Sequence, residues 1–262
     1  MSVESEHDLG ALAKYHEFTR AHRANRLVYR LSHAILKPLL IAYLRLTRTG
    51  MEHIPAEGPV LIVANHRSFL DPFLIGTLLS AGRPLNFMGK AELFARPRAG
   101  WYVSRCGCFP VRRGESDPAA LETARMVLEG GGVLVIFPEG TRLRWGGLAP
   151  PRRGAFRMAI ETGATVLPVC VLGAENVRRA KVIVRPVHCQ VHAAEAIPVA
   201  AGEPTPESAK ALMDEAWDAV TKLWLDHGGS PEPGVRERPP LKERLTGWWR
   251  ARSWPSWPGS RR

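Results

Sequence analysis

The chain has 262 residues, 45% of them apolar, enough to bury a substantial core as one domain with appendages. Its 36 Lys and Arg against 25 Asp and Glu leave a net charge of +11, which favours anionic partners without choosing among nucleic acid, an anionic membrane surface and phosphorylated substrates. Four cysteines (Cys106, Cys108, Cys170, Cys189) have neither metal-ligand spacing nor the pattern of a disulfide framework, so they read as reduced structural thiols, which suits the cytoplasm.

The opening MSVESEHDLG lacks a basic stretch followed by an apolar one, so no signal peptide is expected. The longest apolar run near the front, Leu39-Leu40-Ile41-Ala42-Tyr43-Leu44, is far short of the ~20 residues that span a bilayer. Residues 9–48 predict two helices separated at Pro38. Helical spacing puts Arg23, Arg26, Arg30 and Lys37 on one face and Val28, Leu31, Ile35 and Leu39 on the opposite one. Seven basic residues and no acidic one lie between Thr19 and Met51. A basic amphipathic pair of this kind has the form of an interfacial membrane element; the alternative is an ordinary helix packing its apolar stripe on the core.

Strands and helices then alternate. Val60–Ala64 reads as a strand, and Asp71-Pro72 opens a helix with Asp71 as its N-cap and Pro in the first turn. Residues 85–88 and 109–111 are short strands, and Asp117 caps a helix that closes at Gly130-Gly131-Gly132. A buried strand at 133–137 and a helix at Gly154–Thr162 follow, then strands at 166–172, 181–186 and 189–192. A last helix runs from Pro206 to about His227. This alternation predicts an α/β fold with a mostly parallel central sheet flanked by helices. Residues 1–49 form the amphipathic membrane-associating element and 50–228 the α/β domain. Residues 229–262 form a flexible basic tail rich in Trp, Pro and Arg, which holds four of the eight tryptophans and suits a membrane interface.

Four clusters carry chemistry. In Asn65-His66-Arg67-Ser68-Phe69-Leu70-Asp71, an imidazole and a carboxylate stand at the carboxyl end of a strand, where open α/β sheets keep their sites. His66 can take a proton near neutral pH, and Asp71 can fix its tautomer. Gly107-Cys108-Phe109-Pro110-Val111-Arg112-Arg113 ends an extended segment in paired arginines suited to a phosphate. In Phe137-Pro138-Glu139-Gly140-Thr141-Arg142, Gly140 lets the backbone approach a ligand while Glu139, Thr141 and Arg142 supply an acceptor and donors. Val166-Leu167-Pro168-Val169 is apolar, with Pro168 expected at a strand start, a bulge or an edge. Ser68 lacks the GxSxG elbow of serine hydrolases and reads as a helix-start donor. His188, Cys189 and His192 read as alternating strand residues rather than a metal site.

In this order the clusters resemble the lysophospholipid acyltransferase superfamily, in particular the 1-acylglycerol-3-phosphate acyltransferases. Asn65, His66, Ser68 and Asp71 match the family's NHxSxxD; 107–113 match its glycine-to-arginine block; 137–142 match FPEGTR in full; and 166–169 match its proline-centred apolar block. Lys90-Ala91-Glu92-Leu93-Phe94 and Arg153-Gly154-Ala155-Phe156 also resemble family segments. The likeness covers residues 50–197, and several blocks in the correct order are far more specific than any one. Arg112 stands where relatives often carry an acid and Leu143 where Ser is common, departures that bear on acceptor preference.

The resemblance implies the glycerolipid acyltransferase fold. It implies transfer of a fatty acyl group from acyl-CoA or acyl carrier protein to the sn-2 hydroxyl of 1-acylglycerol-3-phosphate, forming phosphatidic acid. His66 is then the base and Asp71 its support. Arg113, Arg142, Thr141, Lys90, Glu139 and Gly140 form the phosphate pocket, and Asn65, Ser68, Phe109 and Pro168 have acyl-pocket or structural roles. No cofactor or metal is implied beyond the acyl co-substrate. The partners are lysophosphatidic acid and an anionic lipid surface, with no nucleic acid, at the cytoplasmic face of the membrane. Another lysolipid, such as a lyso-ornithine lipid, or a glycolipid is the alternative acceptor; a non-catalytic protein that binds anionic membranes is the alternative of a different class.

Overall fold

The computed structural model describes residues 3–112, 117–179 and 183–235. In chain order the elements are α1 (Val3–His22), α2 (Arg26–Tyr43), β1 (Thr47–Thr49), β2 (Val60–Ala64), α3 (Asp71–Gly76), β3 (Leu85–Lys90), α4 (Pro97–Arg105), β4 (Cys108–Val111), α5 (Pro118–Glu129), β5 (Val133–Ile136), α6 (Gly154–Thr162), β6 (Thr165–Leu172), β7 (Arg178–Arg179), β8 (Ile183–Val184), β9 (Gln190–Ala193) and α7 (Pro206–Asp226). A seven-stranded sheet has the order β1-β9-β6-β2-β5-β3-β4, parallel throughout except between β6 and β9; β7 and β8 form a separate hairpin. The α/β fold with a mostly parallel sheet is therefore the one the alternation predicts.

β2 is central because every one of its five side chains is apolar and buried. Val60, Ile62 and Ala64 pack with Leu74, Ile75 and Val191 on one face, while Leu61 and Val63 pack with Ala124, Phe156 and Ala216 on the other. A strand covered on both faces needs a continuous apolar run rather than an alternating one. Each of its Val, Leu and Ile side chains contributes about 1.5–3 kcal/mol on burial. Flanking helices start on local signals: Asp117 accepts from the Ala120 N–H to open α5, and Thr205 and Ser208 form a reciprocal capping box on α7.

The N-terminal helices divide elsewhere than expected. Arg23 takes a left-handed φ of 60°, Asn25 caps α2 by accepting from the Val28 N–H, and Pro38 sits inside α2. Pro38 forfeits one backbone hydrogen bond there, but a capped helix anchored by Lys37 Nζ and His33 Nε2 on the Leu79 carbonyl continues through it. The two helices also differ in kind. α1 packs into the fold: His16 Nδ1 lies 2.9 Å from Thr123 Oγ1, Arg20 donates to Thr123 and the Ala119 carbonyl, and Tyr15 meets the Phe94 ring. α2 leaves Leu27, Leu31, Ile35 and Leu39 exposed at 67%, 56%, 66% and 55%. Leu27, not the half-buried Val28, begins this stripe. No helix among the described residues is long and apolar enough to cross a membrane.

Two further features have local reasons. Pro168 lies inside β6, paired with Val63 of β2; of the three places expected for it, it takes neither the strand start nor the edge but stands beside a one-residue shift of register, as at a bulge. Its carbonyl accepts the Ala194 N–H at 2.9 Å, and the chain then slips so that Val166 pairs with Ile197, an irregular stretch that tolerates the one ladder N–H that proline lacks. Residues 229–235 return to the domain, with Gly147 N donating to the Glu232 carbonyl and Trp145 bridging Val235. The tail expected beyond them, 236–262, lies outside the described residues, as does 180–182 of the strand expected at 181–186.

Candidate active site

β2 and β5 are parallel neighbours, so the turns that leave their carboxyl ends share one edge of the sheet. Asn65 fixes the first turn to β6: its Nδ2 donates to the Val171 carbonyl at 2.9 Å, and its Oδ1 accepts the Val171 N–H at 2.8 Å. Asp71 does not cap α3, whose N-cap is Leu70. Its carboxylate turns back instead, and Oδ2 accepts from His66 Nδ1 at 2.7 Å, Arg67 N at 2.6 Å and Ser68 N at 2.8 Å. A carboxylate only accepts, so His66 carries its proton on Nδ1 and keeps a lone pair on Nε2. The imidazole stacks on Phe137, ring centroids 4.0 Å apart, and the Leu143 N–H holds the His66 carbonyl at 2.9 Å.

Glu139 lies buried beneath this turn, its Oε1 3.4 Å from the His66 N–H. Burial pushes its carboxyl up to about 8, against the opposing pull of the Arg67 charge. Gly140 follows with φ +70°, a left-handed conformation that favours glycine; the nearest group to a Cβ there would be the mobile end of the Arg152 side chain. The turn delivers Arg142, whose Nε donates to His66 Nε2 at 3.1 Å.

Arg67 has no signal in the sequence, where a charged residue in a loop reads as solvated. It is 1% exposed, with Nη1 and Nη2 each 2.7 Å from a carbonyl, of Leu143 and Gly146, and its guanidinium lies 4.1 Å from the Trp224 ring centroid. Burial disfavours its charge, while Glu175, Glu139 and Asp71 support it. The guanidinium thereby ties the turn carrying His66 to the loop after Arg142. Phe137, which has no chemical signal of its own in the sequence, is the face on which the imidazole rests.

His66, Asp71, Glu139 and Arg142 thus come together, with Asn65 and Ser68 shaping the turn and Thr141 in the chain between Gly140 and Arg142. Lys90 ends β3, two strands from β2 on the same edge, and is exposed. Arg113 lies outside the described residues; Arg112 beside it is held by Asp117, which accepts its backbone N–H at 2.9 Å. Phe109 is fully buried in β4, among α5 side chains and near His16, and so belongs to the core. Pro168 is buried in the sheet. His192 is bonded to Thr49 and stacked on His227 at 3.5 Å.

A buried, carboxylate-oriented histidine at the carboxyl edge of a parallel sheet, with an arginine on its outer nitrogen, is machinery for moving a proton beside an anionic group. Residues 45–172 match the Acyltransferase family model. Among similar proteins is the chloroplastic 1-acyl-sn-glycerol-3-phosphate acyltransferase BAT2 of Brassica napus, 38% identical over 127 residues, 47% of this chain and 36% of that protein. The lyso-ornithine lipid O-acyltransferase of Pseudomonas aeruginosa is 39% identical over 115 residues, 43% of each chain. The crystal structure of the 1-acyl-sn-glycerophosphate (LPA) acyltransferase, PlsC, from Thermotoga maritima shares the fold with a TM-score of 0.60 at 21% identity, covering 91% of this chain and 86% of that one. The chain spans little more than a third of the length of the first plant relatives it matches.

Proposed function

We propose that the protein transfers a fatty acyl group from acyl-CoA or acyl carrier protein to the sn-2 hydroxyl of 1-acylglycerol-3-phosphate, giving phosphatidic acid. The observation that carries this reading is the His66–Asp71 pair with Arg142 at its open nitrogen. The hydroxyl oxygen attacks the thioester carbonyl as His66 Nε2 takes the hydroxyl proton. The tetrahedral intermediate expels the thiolate, and His66 returns the proton to it. Asp71 holds the tautomer and supports the imidazolium without itself being protonated. Arg142, with Thr141, Arg113 and Lys90, provides the positive edge for the phosphate, and Gly140 gives the backbone room to approach it. No cofactor is needed beyond the acyl donor.

The lipid comes to this edge from a bilayer. The four exposed apolar side chains of α2, on a chain of net charge +11, support attachment as an interfacial element to an anionic surface, the cytoplasmic face in a cell. A second acceptor, a lyso-ornithine lipid, is favoured by the likeness to the Pseudomonas aeruginosa protein. Thiol release from palmitoyl-CoA and from palmitoyl carrier protein, with lysophosphatidic acid or lyso-ornithine lipid, tests the reading. Expected is acceptor-dependent release that yields phosphatidic acid and falls by about 10³-fold or more in His66→Ala. Unchanged turnover in that variant would remove His66 as the base.

A further inference from the structure

The Arg142 contact has a consequence for when the base can work. Asp71 occupies Nδ1 of His66, so Nε2 holds the ring's lone pair, and Arg142 Nε donates to that atom at 3.1 Å. A lone pair that already accepts a guanidinium N–H cannot accept the proton of a hydroxyl or of water. Arginine keeps its proton throughout the working pH range, so it occupies the base without ever supplying a proton for the reaction. The contact is nevertheless the weaker of two available to that guanidinium. A phosphate offers charge-assisted, two-pronged hydrogen bonds that a neutral imidazole cannot match.

We propose that Arg142 caps the His66 base and that a phosphate monoester on the carbon next to the acceptor hydroxyl removes the cap. This rests on the acyl-transfer reading above. When the phosphate draws Arg142 aside, the neighbouring hydroxyl is carried to the Nε2 lone pair just vacated. The same residue thereby selects the acceptor and protects the acyl donor. With the cap on, water beside Nε2 is not activated. With the cap off and no hydroxyl present, water attacks the thioester carbonyl, His66 takes its proton and returns it to the departing thiolate, and the products are fatty acid and free thiol. Uncoupled thioester hydrolysis is therefore a latent activity of this site, held back by Arg142.

The test reads the cap directly and through chemistry. In protein labelled with ¹⁵N-histidine, the Nε2 resonance of His66, assigned by its loss in His66→Gln, is compared among wild type, Arg142→Ala and Arg142→Lys. The expected result is a clear shift in Arg142→Ala, and a shift of the same sense in wild type on adding 2-deoxylysophosphatidic acid, which has the phosphate but no hydroxyl to acylate. With palmitoyl-CoA and no acceptor, Arg142→Ala should hydrolyse the thioester several-fold faster than wild type, and the double variant with His66→Ala should not. Its transfer to lysophosphatidic acid should fall at least 100-fold. Arg142→Lys keeps the charge and guards against a variant that fails to fold. An Nε2 resonance unmoved in either variant, or hydrolysis below wild type in a folded Arg142→Ala, overturns the proposal. If the resonance moves but lysophosphatidic acid is no acceptor, the cap stands and the assignment of substrate fails.

Discussion

At the scale of single residues, the site depends on where one carboxylate points. Asp71 receives three hydrogen bonds on one oxygen, two of them from the backbone turn that carries His66. Asp71→Asn can keep part of that turn but can also present an amide N–H to the imidazole and so favour the other tautomer. Turnover should fall by about 10³–10⁴-fold with little change in Tm, measured as acceptor-dependent thiol release and thermal unfolding. Glu139 gives a prediction with a definite sign. Its folded pKa of about 8 lies above the ordinary 4.5, so the native state binds the extra proton between those values. Its contribution to stability is fully present below about pH 4.5 and declines as pH rises toward 8. Glu139→Gln mimics the protonated form and should flatten that decline; an unaltered pH profile of unfolding free energy would refute the assignment. The pattern of residue types made His66 and Asp71 legible as a pair. The direction of the Asp71 carboxylate was not, because Asp followed by Pro is an equally good helix cap in sequence terms. Arg67 was invisible, since its carbonyl partners lie 76 and 79 residues away.

At the scale of elements, legibility followed how local the signal was. β2 announced itself by five consecutive apolar residues, and α5 and α7 by caps a few residues long. β1 is three residues at an edge, and α4 is nine residues with Gly100 inside and no side-chain cap, so neither is marked by a long apolar run or a start signal in the sequence. Proline's breaking tendency points to Pro38, but Asn25 as N-cap and the left-handed Arg23 together set the true break. The exposed stripe of α2 makes its own prediction. Leu31→Glu with Ile35→Glu should weaken binding to vesicles of anionic lipid at least tenfold, while Tm stays within a degree or two because neither side chain is buried. Binding equal to wild type in a sedimentation assay would assign the stripe elsewhere. By contrast, Leu134→Ala in β5 removes a fully buried side chain and should lower the unfolding free energy by about 2–5 kcal/mol in a denaturant titration.

At the scale of the whole molecule, the parallel sheet collects the turns after β2, β5 and β6 on one edge, and that much follows from alternating strands and helices alone. What no pattern shows is how late in the chain the edge is completed. The guanidinium beside His66 rests on Trp224, near the end of the last helix, 157 residues further on. A chain emerging from the ribosome with everything through β6 made has already displayed His66, Asp71, Glu139 and Arg142, yet lacks the ring that backs Arg67. A charge so fully enclosed has no stable place until that surface arrives. The enclosure of Arg67, and with it the tie between the His66 turn and the loop after Arg142, is therefore complete only once α7 has docked.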